Sequence, residues 1–231
     1  ELSLLTDGAT RALAGRGRVA LLTGDAGVGK SRLGHELMDA LAGNAFQVLE
    51  GTCQSYGTRS PYLPFMEVLE TLLDTAADRR DREEALANRA RELDPALEQM
   101  VPLLLHLHGI PPVRYPATQL EGLSLRSALQ DAVVATITIA ARKTPVVLRL
   151  EDWHWADTAS DEVLQKIIDV AASYPIFVLV SSRPTLSPKW LSHSSVSSIK
   201  LDPLTEEDTN AFVCGLWRVE SIPSQFIDLL H

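Results

Sequence analysis

The chain has 231 residues, 45% of them hydrophobic and 22% charged, with 30 acids against 21 bases and a net charge of −9. That mix belongs to an ordinary globular domain, and the acidic balance argues against a broad nucleic-acid-binding surface. No apolar run reaches the length of a membrane helix, and the two cysteines, Cys53 and Cys214, make neither a zinc site nor a disulfide framework.

Two lone thiols point to a reducing cytoplasm. The chain opens on Glu1 with no signal peptide ahead of its first motif, so it reads as a piece of a longer protein. Residues 2–14 have Leu2, Leu5, Ala9, Ala12 and Leu13 on one helical face. RVALLT (18–23) is a short apolar run closed by Gly24, the pattern of a buried parallel strand. Residues 30–43 space Leu33, Leu37, Met38 and Leu41 as a helix, with Gly43 as its stop. FQVLE (46–50) is the next strand, and 51–64 a polar loop bounded by Pro61 and Pro64.

From residue 64 to about 142 the chain reads as a helical insert. Pro95, Pro102, Pro111, Pro112 and Pro116 cut it into short helices and a loop, before a long helix at about 119–142. Three further strands follow: PVVLRL (145–150), PIFVLVS (175–181) and VSSIKL (196–201), with a helix at 158–172 between the first two. Alternation of apolar strands with helices predicts an α/β domain, a parallel sheet covered on both faces. The tail reads as two helices, 205–218 and 223–231, with the pattern still running where the sequence stops. These boundaries divide the chain into a core over 1–203 and the start of a helical lid over 204–231.

GDAGVGKS (24–31) matches G-x-x-x-x-G-K-[ST] in full, with a strand entering and a helix leaving. Its glycines let the backbone curl so that N–H groups point inward, and the helix N-terminus adds partial positive charge. The phosphate-binding set is Gly24, Asp25, Ala26, Gly27, Val28, Gly29, Lys30, Ser31 and Arg32. Lys30 is expected to reach the β- and γ-phosphates, and the Ser31 hydroxyl to bind Mg²⁺.

LRLEDWHWAD (148–157) ends an oily strand in two adjacent acids. Buried charge needs a partner, and a metal–triphosphate held by the glycine loop supplies one. Glu151 is expected to hold Mg²⁺ through a water, and Asp152 to orient or deprotonate the attacking water. At the end of the next strand, Ser181, Ser182 and Arg183 leave the sheet, with Arg183 placed to read the γ-phosphate by a forked hydrogen bond.

Together LLTGDAGVGKSRL, LEDWHWAD, VSSRP and LDPLTEED resemble the STAND class of P-loop ATPases, relatives of the AAA ATPases. The loop GTCQSYGTRSPYLPF adds weaker support, and the likeness covers nearly the whole chain. It is to the ATPase module of large LuxR-type regulators and of class III cyclase-linked proteins. The resemblance implies a three-layer P-loop fold with sheet order 5-1-4-3-2, ATP and Mg²⁺ as cofactors, and other domains of the same polypeptide or a regulatory protein as partners. It implies no membrane and no direct nucleic-acid binding by this segment, and leaves open a nucleotide-dependent oligomer. The family's adenine-holding Gly-Arg segment would lie before Glu1, and its winged-helix region after His231.

Arg149 interrupts an otherwise apolar strand, so a carboxylate partner is expected, with Glu50 the candidate. Trp153 and Trp155 read as packing residues, His154 as a hydrogen-bonding neighbour of the site, and Thr158 with Asp161 as a helix-capping pair. His106 and His108 lack the further ligands of a zinc site, and the mixed-charge run 78–94 reads as a solvated helix face. The competing reading is a scaffold that holds nucleotide without hydrolysing it. A third is that the helical insert recruits a partner. No cyclase site is visible.

Overall fold

Three apolar runs become the centre of a sheet. In the computed structural model, which describes residues 1–43, 45–55, 61–73, 82–186, 188–203 and 205–217, these are β1 (Arg18–Thr23), β3 (Val146–Glu151) and β4 (Ile176–Ser182). All seven residues of β4 are buried. Of the edge strands, β2 (Gln47–Thr52) alternates between buried and exposed positions, and β5 (Val196–Lys200) buries only Ile199. Continuous burial in the middle and partial burial at the rim is what a parallel sheet with two covered faces demands.

The order across the sheet is β2-β3-β4-β1-β5, with every neighbouring pair parallel. Read from the other edge this is the predicted 5-1-4-3-2. β4 therefore lies between the strand that carries the glycine loop and the strand that carries the acids. Ligand sites of such sheets lie at the carboxyl ends of the strands.

Alternate side chains send each strand into two cores. On one face Ala20, Leu22, Val147, Phe177 and Leu179 pack with α1 (Leu2–Leu13) and α2 (Lys30–Leu41). On the other, Val19, Leu21, Leu148, Leu150, Val178 and Val180 pack with α3 (Leu63–Leu73), α4 (Arg82–Leu93), α5 (Val101–Leu107), α6 (Gly122–Lys143) and α7 (Thr158–Ala171). The predicted insert therefore shares the main core: Phe65 and Leu69 of α3 and Val133 and Ile137 of α6 belong to the same apolar cluster as the sheet.

Some boundaries differ from the sequence expectation. β2 continues through Gly51 and Thr52, which pair with Leu150 and Glu151, so the loop begins later than predicted. The long helix starts at Gly122, and Pro95 opens a short 3-10 turn over Pro95–Met100. α4, within the mixed-charge run, buries Leu86, Ala87 and Ala90, so it is a half-packed helix as well as a solvated face. α8 (Glu206–Trp217) follows β5. The predicted helix at 223–231 and part of the loop at 56–60 lie outside the described residues. No helix among the described residues is long and apolar enough to cross a membrane.

Candidate functional site

The glycine loop joins β1 to α2. Gly27 (φ +81°) and Gly29 (φ +100°) take left-handed conformations that a side chain would strain, and Gly29 sits at the N-cap of α2. At Gly24 the limit is space: a Cβ there would stand 2.6 Å from Val28 Cγ1 and 2.9 Å from the Leu201 carbonyl oxygen. The Lys30 ammonium folds back over the loop and donates to the carbonyls of Gly24 (2.8 Å) and Asp25 (2.7 Å). The Ser31 carbonyl oxygen lies 2.7 Å from His35 Nδ1. Arg32 pairs with Glu36 at 3.3 Å along the exposed face of α2.

A cleft of about 880 Å³ opens beside the loop, lined by Asp25, Ala26, Gly27, Val28, Gly29 and Arg32. Its remaining wall is apolar at Leu2 of α1, Leu33 of α2, Leu201 and Pro203 after β5 and Val213 of α8, and polar at Glu1, Glu36 and Thr209. The sequence offered no such pocket. Leu2 and Val213 are separated by nearly the whole chain, and no local pattern joins them.

The acids end β3. Glu151 is the strand's last residue and is partly buried, while Asp152 is exposed and adopts a left-handed backbone (φ 54°, ψ 41°). Only a minority of non-glycine residues sit there, and such strain concentrates at functional turns. The turn is held from both sides. The Asp152 N–H donates to Ser181 Oγ at 3.3 Å, and the Trp155 N–H donates to the Asp152 carbonyl at 2.9 Å. One residue beyond Ser181, the Ser182 carbonyl accepts the Gly24 N–H at 3.3 Å. The end of β4 thus touches the glycine loop on one side and the acid turn on the other.

His154 feels the charge of several of the predicted residues. Burial lowers its pKa first; Asp152 pushes it up, and Arg183 and Lys30 push it down. The three charges expected to surround a γ-phosphate therefore lie within electrostatic reach of one imidazole. The expectation that His154 is a hydrogen-bonding neighbour is corrected: neither ring nitrogen has a hydrogen-bond partner, and the ring instead leans on Trp155 with centroids 5.0 Å apart. Arg183 is exposed, in the turn where the Leu186 N–H donates to its carbonyl.

The helix cap is also corrected. Asp157, not Thr158, caps α7, accepting from the Ala159 and Ser160 N–H groups. Asp161 instead accepts from two indoles, Trp153 Nε1 at 3.1 Å and Trp190 Nε1 at 3.0 Å. Trp153 is buried as expected, but Trp155 is 38% exposed. Arg149 does take Glu50 as partner, at 3.2 Å, and also Glu151 at 3.1 Å.

Residues 1–180 match the family described as AAA ATPase domain. The chain is 28% identical over 221 residues to the uncharacterized protein R02095 of Rhizobium meliloti (strain 1021), which covers 93% of this chain and 21% of that protein. It therefore spans about a fifth of the length of the curated relative it matches. Among solved structures it is similar to the Signal Transduction ATPase with Numerous Domains (STAND) protein with a tetratricopeptide repeat sensor, PH0952, from Pyrococcus horikoshii. That match has a TM-score of 0.49 and 13% identity, over 99% of this chain and 26% of that one. A chain of the E. coli MS115-1 HORMA:CdnC:Trip13 complex matches with a TM-score of 0.49 and 15% identity, over 96% of this chain and 60% of that one. With more than three-quarters of its length matched by the family, the chain belongs to the AAA ATPase domain family.

Proposed function

We propose that the chain is the ATP-binding, slowly hydrolysing module of a larger STAND-type signalling protein, and that nucleotide shifts how neighbouring domains pack against it. One observation carries this reading. The end of β4 is hydrogen-bonded to Gly24 through Ser182 and to Asp152 through Ser181, which joins the glycine loop and the acid turn into one rigid frame. Residues that must face the two ends of one phosphate chain need such a frame.

In this reading the loop N–H groups and the Lys30 ammonium bind the phosphates, Lys30 exchanging its two loop carbonyls for phosphate oxygens. The apolar wall formed by Leu2, Leu201, Pro203 and Val213 takes the nucleoside end. Asp152 orients the attacking water and accepts its proton, and Arg183 contributes a forked donor to the γ-phosphate.

The donor set suits Mg²⁺. Ser31 and Glu151 offer oxygen, and among the described residues no group of three or more His, Cys, Asp or Glu gathers to hold a metal alone. A magnesium ion kept mainly by phosphate and water oxygens needs no more. Held by Ser31 and Glu151, it would supply charge neutralisation to the phosphates.

Nucleotide binding and phosphate release, measured on the longer parent protein, test the proposal. Lys30→Ala is expected to weaken ATP binding at least about tenfold. Asp152→Asn is expected to keep binding and lose about 10²-fold or more in turnover. Saturable ATP binding with no turnover above Lys30→Ala would instead establish the non-hydrolysing scaffold.

A further inference from the structure

We infer that Arg149 is a positioning residue for the metal-facing acid, joining Glu151 to the edge strand through Glu50; this rests on the nucleotide-site reading above. Three features of the fold put it there. Residues 147, 149 and 151 share the sheet face that looks toward α1 and α2, since Val147 packs in that core. β2 runs parallel to β3 with Glu50 opposite Arg149 and Thr52 opposite Glu151, which brings Glu50 alongside. Above them α2 passes at Gly34, where an added Cβ would be in ordinary van der Waals contact with Arg149 Cδ at 3.7 Å, so the helix packs directly over the arginine.

The arginine side chain is 9% exposed, Glu151 22% and Glu50 54%. Nη1 reaches Glu50 Oε1 at 3.2 Å, and Nη2 reaches Glu151 Oε1 at 3.1 Å. A planar fork divided between two carboxylates fixes the direction of both, which a lysine's point charge does not. The arginine thus holds Glu151 from the side of β2, and a partly exposed carboxylate so oriented can still face a cation at the carboxyl end of the sheet. The cluster carries a net charge of −1, so the acid keeps its attraction for a cation while its orientation is set from behind. Groups that orient a metal-facing ligand in this way are worth about 10–100-fold in metal affinity.

The test measures nucleotide affinity of the longer parent protein by calorimetry, in EDTA and across a Mg²⁺ titration, for the wild type, Arg149→Met, Arg149→Lys and Glu50→Gln. Arg149→Met is expected to raise the Mg²⁺ concentration for half-maximal enhancement about 10–100-fold while affinity in EDTA stays within about twofold. Arg149→Lys recovers part of the loss. Glu50→Gln removes the outer anchor of a half-exposed pair and shifts the midpoint in the same direction, by about two- to fivefold. Because Glu50 is half-exposed, that variant decides the matter if Arg149→Met fails to fold. An unchanged Mg²⁺ midpoint in folded variants, or a lower one, overturns the positioning role and leaves the nucleotide site standing. A wild type that binds nucleotide in neither condition overturns both.

Discussion

Asp157 closes the acid turn by what it accepts. Its Oδ1 takes the N–H groups of Ala159 (2.9 Å) and Ser160 (3.0 Å), and its Oδ2 takes the Ser160 hydroxyl (2.5 Å) and the Tyr62 N–H (3.3 Å). One carboxylate therefore caps α7 and ties down the residue before α3. Asp157→Ala should cost about 2 kcal/mol, the upper end for a helix cap, and lower Tm by about 4–8 °C. Differential scanning calorimetry checks it, and an unchanged Tm would show the cap to be idle. Cys53 illustrates the same crowding of acids from the other side. Burial, followed by the charges of Asp157, Asp152 and Glu67, raises its pKa from 9.0 to about 12. The folded state thus keeps a proton that the unfolded chain releases. The resulting stability is complete below pH 9 and declines as pH rises from about 9 toward 12, by about 1.4 kcal/mol per unit. Denaturant unfolding between pH 8.5 and 10.5 should fall more steeply for the wild type than for Cys53→Ala. Equal slopes would remove the claim.

At the scale of elements, Asp161 of α7 joins two 3-10 turns, Trp153–Trp155 and Lys189–Ser192, by accepting both indole N–H groups on one oxygen. Trp153 and Trp190 are 1% and 2% exposed, so neither indole has water as a substitute. Asp161→Ala leaves two buried donors unmet and should cost about 2–5 kcal/mol. Asp161→Asn, which keeps a carbonyl acceptor, should cost less. Urea unfolding followed by tryptophan fluorescence distinguishes them, and equal stabilities would contradict the link. This pairing also marks the limit of what the sequence displayed. β1 was legible to the residue because RVALLT is a continuous apolar run ended by a glycine. β2 was read short because Gly51 and Thr52 have the composition of a loop, and their strand character comes from pairing with β3. The glycine loop and the two acids follow from local spacing. The partners of Asp161 and the isolation of His154 depend on how distant segments pack, and no stretch of residues records that alone. Glu151 as a second carboxylate on Arg149 was there to be read, two residues along the same strand face.

For the molecule as a whole, the order of the sheet decides what can be built at its edge. Placing β4 between β1 and β3 brings Ser181 and Ser182 to the seam between loop and acids, and leaves the far side of the loop to α1 and α8. The helices α3 and α6 complete the main core, so removing the segment from 64 to 142 would uncover the sheet and could not isolate a docking function. The cleft of about 880 Å³ is likewise assembled from distant parts: Leu2 near one end of the chain, Leu201 and Pro203 after the last strand, and Val213 in α8. If this wall holds the nucleoside, stabilisation should depend on the base as well as on the phosphates. ATP at about a hundred times its Kd contributes about 2.7 kcal/mol, which corresponds to a rise in Tm of about 5–11 °C for a chain of this size. Inorganic tripolyphosphate, which engages the loop alone, should raise Tm less at the same concentration. Leu2→Ser, which places a hydroxyl in the apolar wall, should shrink the difference between the two ligands and leave the tripolyphosphate response intact. Thermal melts with each ligand decide it: equal stabilisation by ATP and tripolyphosphate in the wild type would mean that the cleft contributes no base contact, and that the glycine loop binds phosphate without help from α1 and α8.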